Sequence, residues 1–99
     1  MLRASGFRVI EAVNGMRAVE RFAEQRPAVT LMDLMMADGD GPMALRQIRE
    51  IDHTAHIIAL SGLSPDEAAR AAPGANAFLA KPFSISDLLV AVKRELAAM

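Results

Sequence analysis

Three side chains suited to phosphate chemistry each follow a short apolar run of the sequence: Asp33, Ser61 and Lys81. A carboxylate can act as a nucleophile and form an acyl phosphate. A lysine can neutralise one oxygen of a phosphoryl group, and a serine hydroxyl can hydrogen-bond to another. Each of these residue types alone is commonly a solvated loop residue. The prediction of a phosphate site therefore depends on their occurring together, each directly after an apolar run.

The apolar runs before these residues are typical of strands that are covered on both faces. The sequence predicts four strands, at residues 7–12, 28–33, 56–60 and 77–80. Helical patterns follow each of them, with predicted starts after Gly15, after Gly41, at Ser64, and at Ser84 or Ser86. This alternation predicts an α/β fold with a parallel sheet and helices on both faces. The carboxyl ends of parallel strands lie at one edge, so Asp33, Ser61 and Lys81 are expected to converge there.

Apolar residues at helical spacing are interpreted as core faces rather than as cofactor contacts. They are Met16, Val19, Phe22 and Ala23, then Leu45, Ile48 and Ile51, and in the last helix Ile85, Leu88, Leu89, Val92 and Leu96. Methionine is a common core-filling residue, and Met32, Met35 and Met36 are expected to fill the core in this way. His53 and His56 lack the further ligands that a metal site needs.

Composition excludes several classes of function. The 99 residues contain no cysteine, which excludes cysteine-ligated metals, disulfides and a thiol nucleophile. A formal net charge of −1 with mixed signs gives no long-range attraction to nucleic acid or to anionic lipid. No apolar run approaches the length of a membrane span, and a cytoplasmic protein is expected.

The sequence resembles the receiver domains of two-component response regulators over essentially its whole length. The resemblance rests on the segments 31–36 (LMDLMM), 40–41 (DG), 59–62 (ALSG), 74–75 (GA) and 78–83 (FLAKPF). It implies a flavodoxin-like three-layer sandwich, with residues 1–99 forming one receiver domain. It also implies a phosphoacceptor signalling module rather than an enzyme with turnover.

The resemblance assigns roles to individual residues. Asp33 would accept phosphate from a phosphohistidine on a histidine kinase or phosphotransfer protein, and the domain would then switch a downstream effector. Ser61 would turn toward the phosphoryl group, and Lys81 would pair with it. Phe78 occupies the position of an aromatic residue that moves inward on activation, although a buried strand aromatic is an equal interpretation. The backbone carbonyl of Met35 would be a Mg²⁺ ligand, together with the Asp33 carboxylate.

Two further features of the sequence bear on this site: the proline after Lys81 and the residues before the first predicted strand. Pro82 follows Lys81, and an X–Pro bond can be cis, which would fix the approach of the lysine. The family has an acidic pair at the end of its first strand that helps to hold Mg²⁺, whereas no acidic residue precedes Phe7 here. We therefore expect weak Mg²⁺ binding and poor phosphorylation.

By the same resemblance, the chain is expected to lack the family's first strand and most of its first helix, and so to be incomplete at the N-terminus. That strand is central in the family's order. We expect the strand of residues 7–12 to pair with residues 28–33, or two chains to associate as a homodimer.

Two alternatives remain open at this stage. A phosphorylation-independent interaction or dimerisation module is favoured by the missing acidic pair. A phosphatase with an aspartyl nucleophile also uses Asp, Ser or Thr, and Lys around phosphate. That class has a second aspartate two residues after the nucleophile, and the residue at this position is Met35, which argues against it.

Overall fold

The computed structural model describes residues 15–34 and 41–98. Seven elements alternate along these ranges: α1 (Gly15–Gln25), β1 (Thr30–Asp33), α2 (Gly41–Ile51), β2 (Ile57–Ser61), α3 (Pro65–Ala71), β3 (Ala77–Ala80) and α4 (Ile85–Ala97). The strand predicted at residues 7–12 lies outside the described residues, as does its expected pairing. Within the described ranges, no helix is long and apolar enough to cross a membrane.

The three described strands form one parallel sheet in the order β1-β2-β3. This confirms the predicted parallel arrangement, with β2 in the middle. Asp33 is in register with Leu60, and Ser61 is in register with Ala80. The last residues of neighbouring strands therefore lie at the same edge of the sheet, which we call the carboxyl edge.

Side chains alternate between the two faces of the sheet, and helices cover both faces. On one face, Met32 and Ile57 pack in a core cluster with Leu45 and Ile48 of α2 and with Phe22 of α1. On the other face, a second cluster is formed by Ile58, Leu88 and Val92, the last two from α4. The fold is therefore a three-layer arrangement, and Met32 fills the core as predicted.

Serine caps start two of the helices. The Ser64 hydroxyl accepts a hydrogen bond from the Glu67 N–H at the start of α3. Of the two serines predicted to cap the last helix, Ser84 is the cap, and it forms a reciprocal capping box with Asp87. Each cap satisfies an N–H group that has no partner inside its helix.

The predicted core stripes are too wide at the helix ends. Met16 is 70% exposed, Ile85 is 55% exposed and Ile51 is 37% exposed. The strands have four or five residues, which corresponds to roughly 13–17 Å, whereas the 13 residues of α4 extend about 20 Å. α4 is therefore longer than the strands it covers, and Ile85 lies in its first turn. Met16 and Ile51 lie in the terminal turns of α1 and α2, which have 11 residues each.

Candidate functional site

Asp33 and Lys81 meet at the carboxyl edge of the sheet. Asp33 is the last residue of β1, and Lys81 directly follows β3. The Lys81 Nζ donates a hydrogen bond to Asp33 Oδ2 at 2.6 Å. The Asp33 side chain is 37% exposed and the Lys81 side chain is 36% exposed, so the pair is accessible from solvent. A carboxylate and an ammonium group are thus held together at one accessible position.

Ser61 lies between these residues in the sheet but is oriented differently. It is the last residue of β2 and is only 2% exposed. Its Oγ accepts a hydrogen bond from the Leu63 N–H at 2.9 Å. Within the described residues, this is the one hydrogen bond that the Ser61 side chain makes. The structure therefore places Ser61 at the predicted edge, with its hydroxyl engaged by the loop that leads to α3.

Backbone hydrogen bonds extend the sheet by one residue beyond each strand end. The Leu34 N–H donates to the Leu60 carbonyl at 3.0 Å, which ties β1 to β2. The Lys81 N–H donates to the Ser61 carbonyl at 2.8 Å, which ties β3 to β2. These bonds fix the backbone on either side of the site, so the polar side chains start from well-defined positions.

Gly41 is a site-positioning residue that the sequence interpretation missed. A Cβ atom at this position would lie 2.5 Å from the Asp33 carbonyl oxygen and 2.7 Å from the Leu34 Cα. Only glycine allows the first turn of α2 to pack this closely on the end of β1. A helix start was predicted after Gly41, but nothing in the sequence indicated the contact with Asp33.

Two further predicted residues, Phe78 and Pro82, lie close to Lys81 in the sequence. Phe78 is in β3 and is 37% exposed, so in this structure it is not an ordinary core aromatic. The peptide bond between Lys81 and Pro82 is cis.

The described residues provide a poor donor set for Mg²⁺. Met35 lies outside the described residues, as do Asp38 and Asp40. Within residues 15–34 and 41–98, no group of three or more His, Asp or Glu side chains is placed to hold a metal ion. Mg²⁺ prefers octahedral oxygen ligation with one or two carboxylates. The described part of the site supplies the Asp33 carboxylate, so it does not fit a complete Mg²⁺ site.

Away from this site, hydrogen bonding shifts the pKa of a residue in a surface turn. Hydrogen bonds from the Thr54 hydroxyl and from the Thr54 backbone N–H lower the pKa of Asp52 below its ordinary value of 3.8. Asp52 directly follows α2, in the turn that leads to β2, so it lies near the amino ends of the strands. Its titration is therefore a property of a surface turn.

Known proteins show the same fold and sequence pattern. The family model of the response regulator receiver domain matches residues 1–93. The chain is 37% identical over 99 residues to the chemotaxis protein CheY of Bacillus subtilis, covering 97% of this chain and 82% of that protein. The chain therefore belongs to the response regulator receiver domain family.

Solved structures agree with this assignment. A protein from Chloroflexus aurantiacus described as a response regulator is 30% identical, with a TM-score of 0.87 over 97% of this chain and 82% of that one. The response regulator TrrA of Thermotoga maritima, solved in complex with Mg²⁺-BeF, has a TM-score of 0.84 over 95% of this chain and 82% of its own. At 24% sequence identity, this similarity shows only that the two proteins share a fold. The fold is flavodoxin-like, and the protein is a receiver domain of two-component signal transduction.

Proposed function

We propose that Asp33 is the phosphoacceptor of this receiver domain. The observation that supports this most directly is the 2.6 Å pair between Asp33 Oδ2 and Lys81 Nζ at the accessible carboxyl edge. A carboxylate oxygen of Asp33 would attack the phosphorus atom of a phosphohistidine. A P–O bond forms, the P–N bond breaks, and the imidazole nitrogen leaves with the electron pair. The phosphoryl group ends as an acyl phosphate on Asp33.

Lys81 and Ser61 would support this transfer from neighbouring strands. The Lys81 ammonium is already within hydrogen-bond distance of the reacting carboxylate, so it can neutralise an oxygen of the phosphoryl group once that group is attached. Ser61 would rotate away from the Leu63 N–H to donate to another phosphoryl oxygen. Phe78 of β3 is 37% exposed and would then pack inward, as the family resemblance implies.

The small number of Mg²⁺ ligands at this site predicts slow phosphorylation of Asp33. Receiver domains generally bind Mg²⁺, which neutralises charge during phosphoryl transfer. In the part of the chain that the structure describes, no group of three or more His, Asp or Glu side chains is placed to hold a metal ion. We therefore expect weak Mg²⁺ binding by the 99-residue chain, and slow, substoichiometric modification of Asp33.

In the cell, the donor would be a histidine kinase or a histidine-containing phosphotransfer protein, and the output a downstream effector. The domain would act in the cytoplasm as a switch rather than as an enzyme with turnover. Residues 1–99 would form this single receiver unit. Association of two chains remains a prediction that the proposed test below also addresses.

The test is incubation with acetyl phosphate and Mg²⁺, followed by mass spectrometry of the intact chain and of its peptides. We expect slow addition of one phosphoryl group to Asp33, abolished in Asp33→Asn and unchanged in the exposed control Asp66→Asn. Rapid stoichiometric modification would contradict the weak Mg²⁺ site. Absence of modification at Asp33 over long incubation, with a dimer seen by sedimentation, would replace the proposal with a phosphorylation-independent interaction module.

A further inference from the structure

Arg49 of α2 forms an unusually complete set of hydrogen bonds at the amino edge of the sheet, opposite the carboxyl edge. Its Nη1 donates to the His53 carbonyl at 3.0 Å and to the Ala55 carbonyl at 2.6 Å. Its Nη2 donates to the Gly74 carbonyl at 2.6 Å and to Asn76 Oδ1 at 2.9 Å. One guanidinium group therefore ties the connection that precedes β2 to the connection that precedes β3.

Asn76 carries this link directly to the first residue of β2. Its Oδ1 accepts a hydrogen bond from the Ile57 N–H at 2.8 Å, and its own N–H donates to the Ile57 carbonyl at 2.8 Å. Arg49 and Ile57 thus share one acceptor atom, Asn76 Oδ1. Asn76, the residue immediately before β3, is therefore bonded to the first residue of β2 through both its side chain and its backbone.

Gly74 allows the same connection to lie close to α2. A Cβ atom at Gly74 would lie 2.9 Å from Leu45 Cδ2. Leu45 is one helical turn before Arg49, so α2 contacts this connection twice on the same face. The position of the chain before β3 is therefore set from α2 as well as from β2.

β3 gains from such an anchor because only two of its side chains, Ala77 and Leu79, pack against the core, and neither is fully buried. The strand has four residues, Ala77–Ala80, and none of them is buried. Register is strongly specified where one face of a strand is buried and weakly specified otherwise. A slip of one residue would move β3 by roughly 3.3 Å and would turn each of its side chains to the opposite face.

We propose that Arg49, acting through Asn76, is a positioning residue that fixes the register of β3 and so delivers Lys81 to Asp33. Lys81 directly follows β3, and in the observed register its N–H bonds to the Ser61 carbonyl while its Nζ reaches Asp33. In a slipped register, Lys81 would leave both partners. The value of this register for phosphoryl transfer rests on the proposed function of Asp33.

The test compares two backbone amides at the carboxyl edge by hydrogen exchange in the absence of any phosphodonor. The Lys81 N–H reports on the pairing of β3 with β2, and the Leu34 N–H reports on the pairing of β1 with β2. In Arg49→Met, we expect protection of the Lys81 amide to fall roughly tenfold more than protection of the Leu34 amide. The nuclear Overhauser effect between the Lys81 ε-methylene and the Asp33 β-methylene protons should also weaken.

The chain offers matched controls. Arg46 lies on the same helix and is exposed, and its side chain makes no hydrogen bond or ion pair with the rest of the described chain. Arg46→Met should leave the ratio of the two protections unchanged. Arg49→Lys keeps the charge but loses the planar fork, so it should shift the ratio in the same direction as Arg49→Met. Asn76→Asp keeps the shared acceptor and should preserve the ratio, whereas Asn76→Ala should change it.

Asn76→Ala also serves as the second variant if Arg49→Met fails to fold, because it removes the shared acceptor and leaves Arg49 in place. Equal losses at the two amides would show that Arg49 only stabilises the whole fold, and would overturn the proposal. An unchanged ratio in both Arg49→Met and Asn76→Ala would overturn it as well. A shifted ratio in a chain whose Asp33 is not phosphorylated would support the register role while rejecting the proposed function, so the two failures are distinguishable.

Discussion

The two edges of the sheet differ in how their polar groups are held. At the carboxyl edge, Asp33 and Lys81 form an accessible pair, with each side chain more than one third exposed. At the amino edge, Arg49 makes four hydrogen bonds to the connections around it. There, His56 Nδ1 also lies 3.1 Å from Oε1 of Glu95, a residue that is only 9% exposed. The scaffold is tied together at one edge, which leaves the groups at the other edge able to change partners.

The largest loss of stability is expected at Gly41, where α2 packs on the carboxyl end of β1. Gly41→Ala places a Cβ against backbone atoms of Asp33 and Leu34, and backbone cannot rotate away. We expect a loss of roughly 3 kcal/mol in the free energy of unfolding, measured by urea denaturation. Gly74→Ala meets the end of the Leu45 side chain instead and should cost about 1 kcal/mol. The reverse order would contradict the packing described at the two edges.

The pair at the amino edge should have the next largest effect. His56→Leu removes the hydrogen-bond partner of the nearly buried Glu95 carboxyl group. We expect a loss of about 2 kcal/mol, because a buried polar group is left unsatisfied. The double variant His56→Leu with Glu95→Leu should regain part of that loss, because neither polar group then remains. A double variant less stable than the sum of the single variants would count against this explanation.

The pair at the carboxyl edge should contribute little to stability. Lys81→Met removes an ion pair whose side chains are 36% and 37% exposed, and solvent screens such pairs. We expect a change of at most about 1 kcal/mol in the free energy of unfolding, measured by the same denaturation. A loss as large as that from His56→Leu would mean that the two edges are held equally strongly.

The smallest effect is expected at Asp52, in the turn between α2 and β2. Because the pKa of Asp52 is lowered in the folded chain, its contribution to stability is present above the unfolded pKa and is lost as the pH falls through the folded pKa. Thr54→Val removes the hydroxyl donor, so the pKa of Asp52 should rise toward 3.8. A carboxyl-carbon NMR titration measures this directly, and an unchanged pKa would assign the shift to another group.

Much of the carboxyl edge was predictable from the sequence. Alternating apolar runs predicted the three described strands, and a polar residue at the end of each run predicted that Asp33, Ser61 and Lys81 would lie at this edge, where Asp33 and Lys81 are in contact. Local patterns also predicted the Ser64 cap. These features depend on neighbouring residues, so a single sequence is sufficient to indicate them.

The amino edge was not predictable in the same way. Arg49 lies in an amphipathic helix, where an arginine usually indicates a solvated face. Its bonds to Gly74 and Asn76 join residues that are distant in the sequence, and so does the pair between His56 and Glu95. Such contacts depend on how α2 and α4 pack against the sheet, which no local pattern specifies.

The most direct test of the account is the rate of acyl phosphate formation on Asp33 in the wild-type chain and in Lys81→Met. Both proteins are incubated with acetyl phosphate and Mg²⁺, and the Asp33 peptide is quantified over time by mass spectrometry. If the carboxyl edge performs phosphoryl transfer, Lys81→Met should remain folded and lose roughly 100-fold in rate. Equal rates in the two chains would contradict the account.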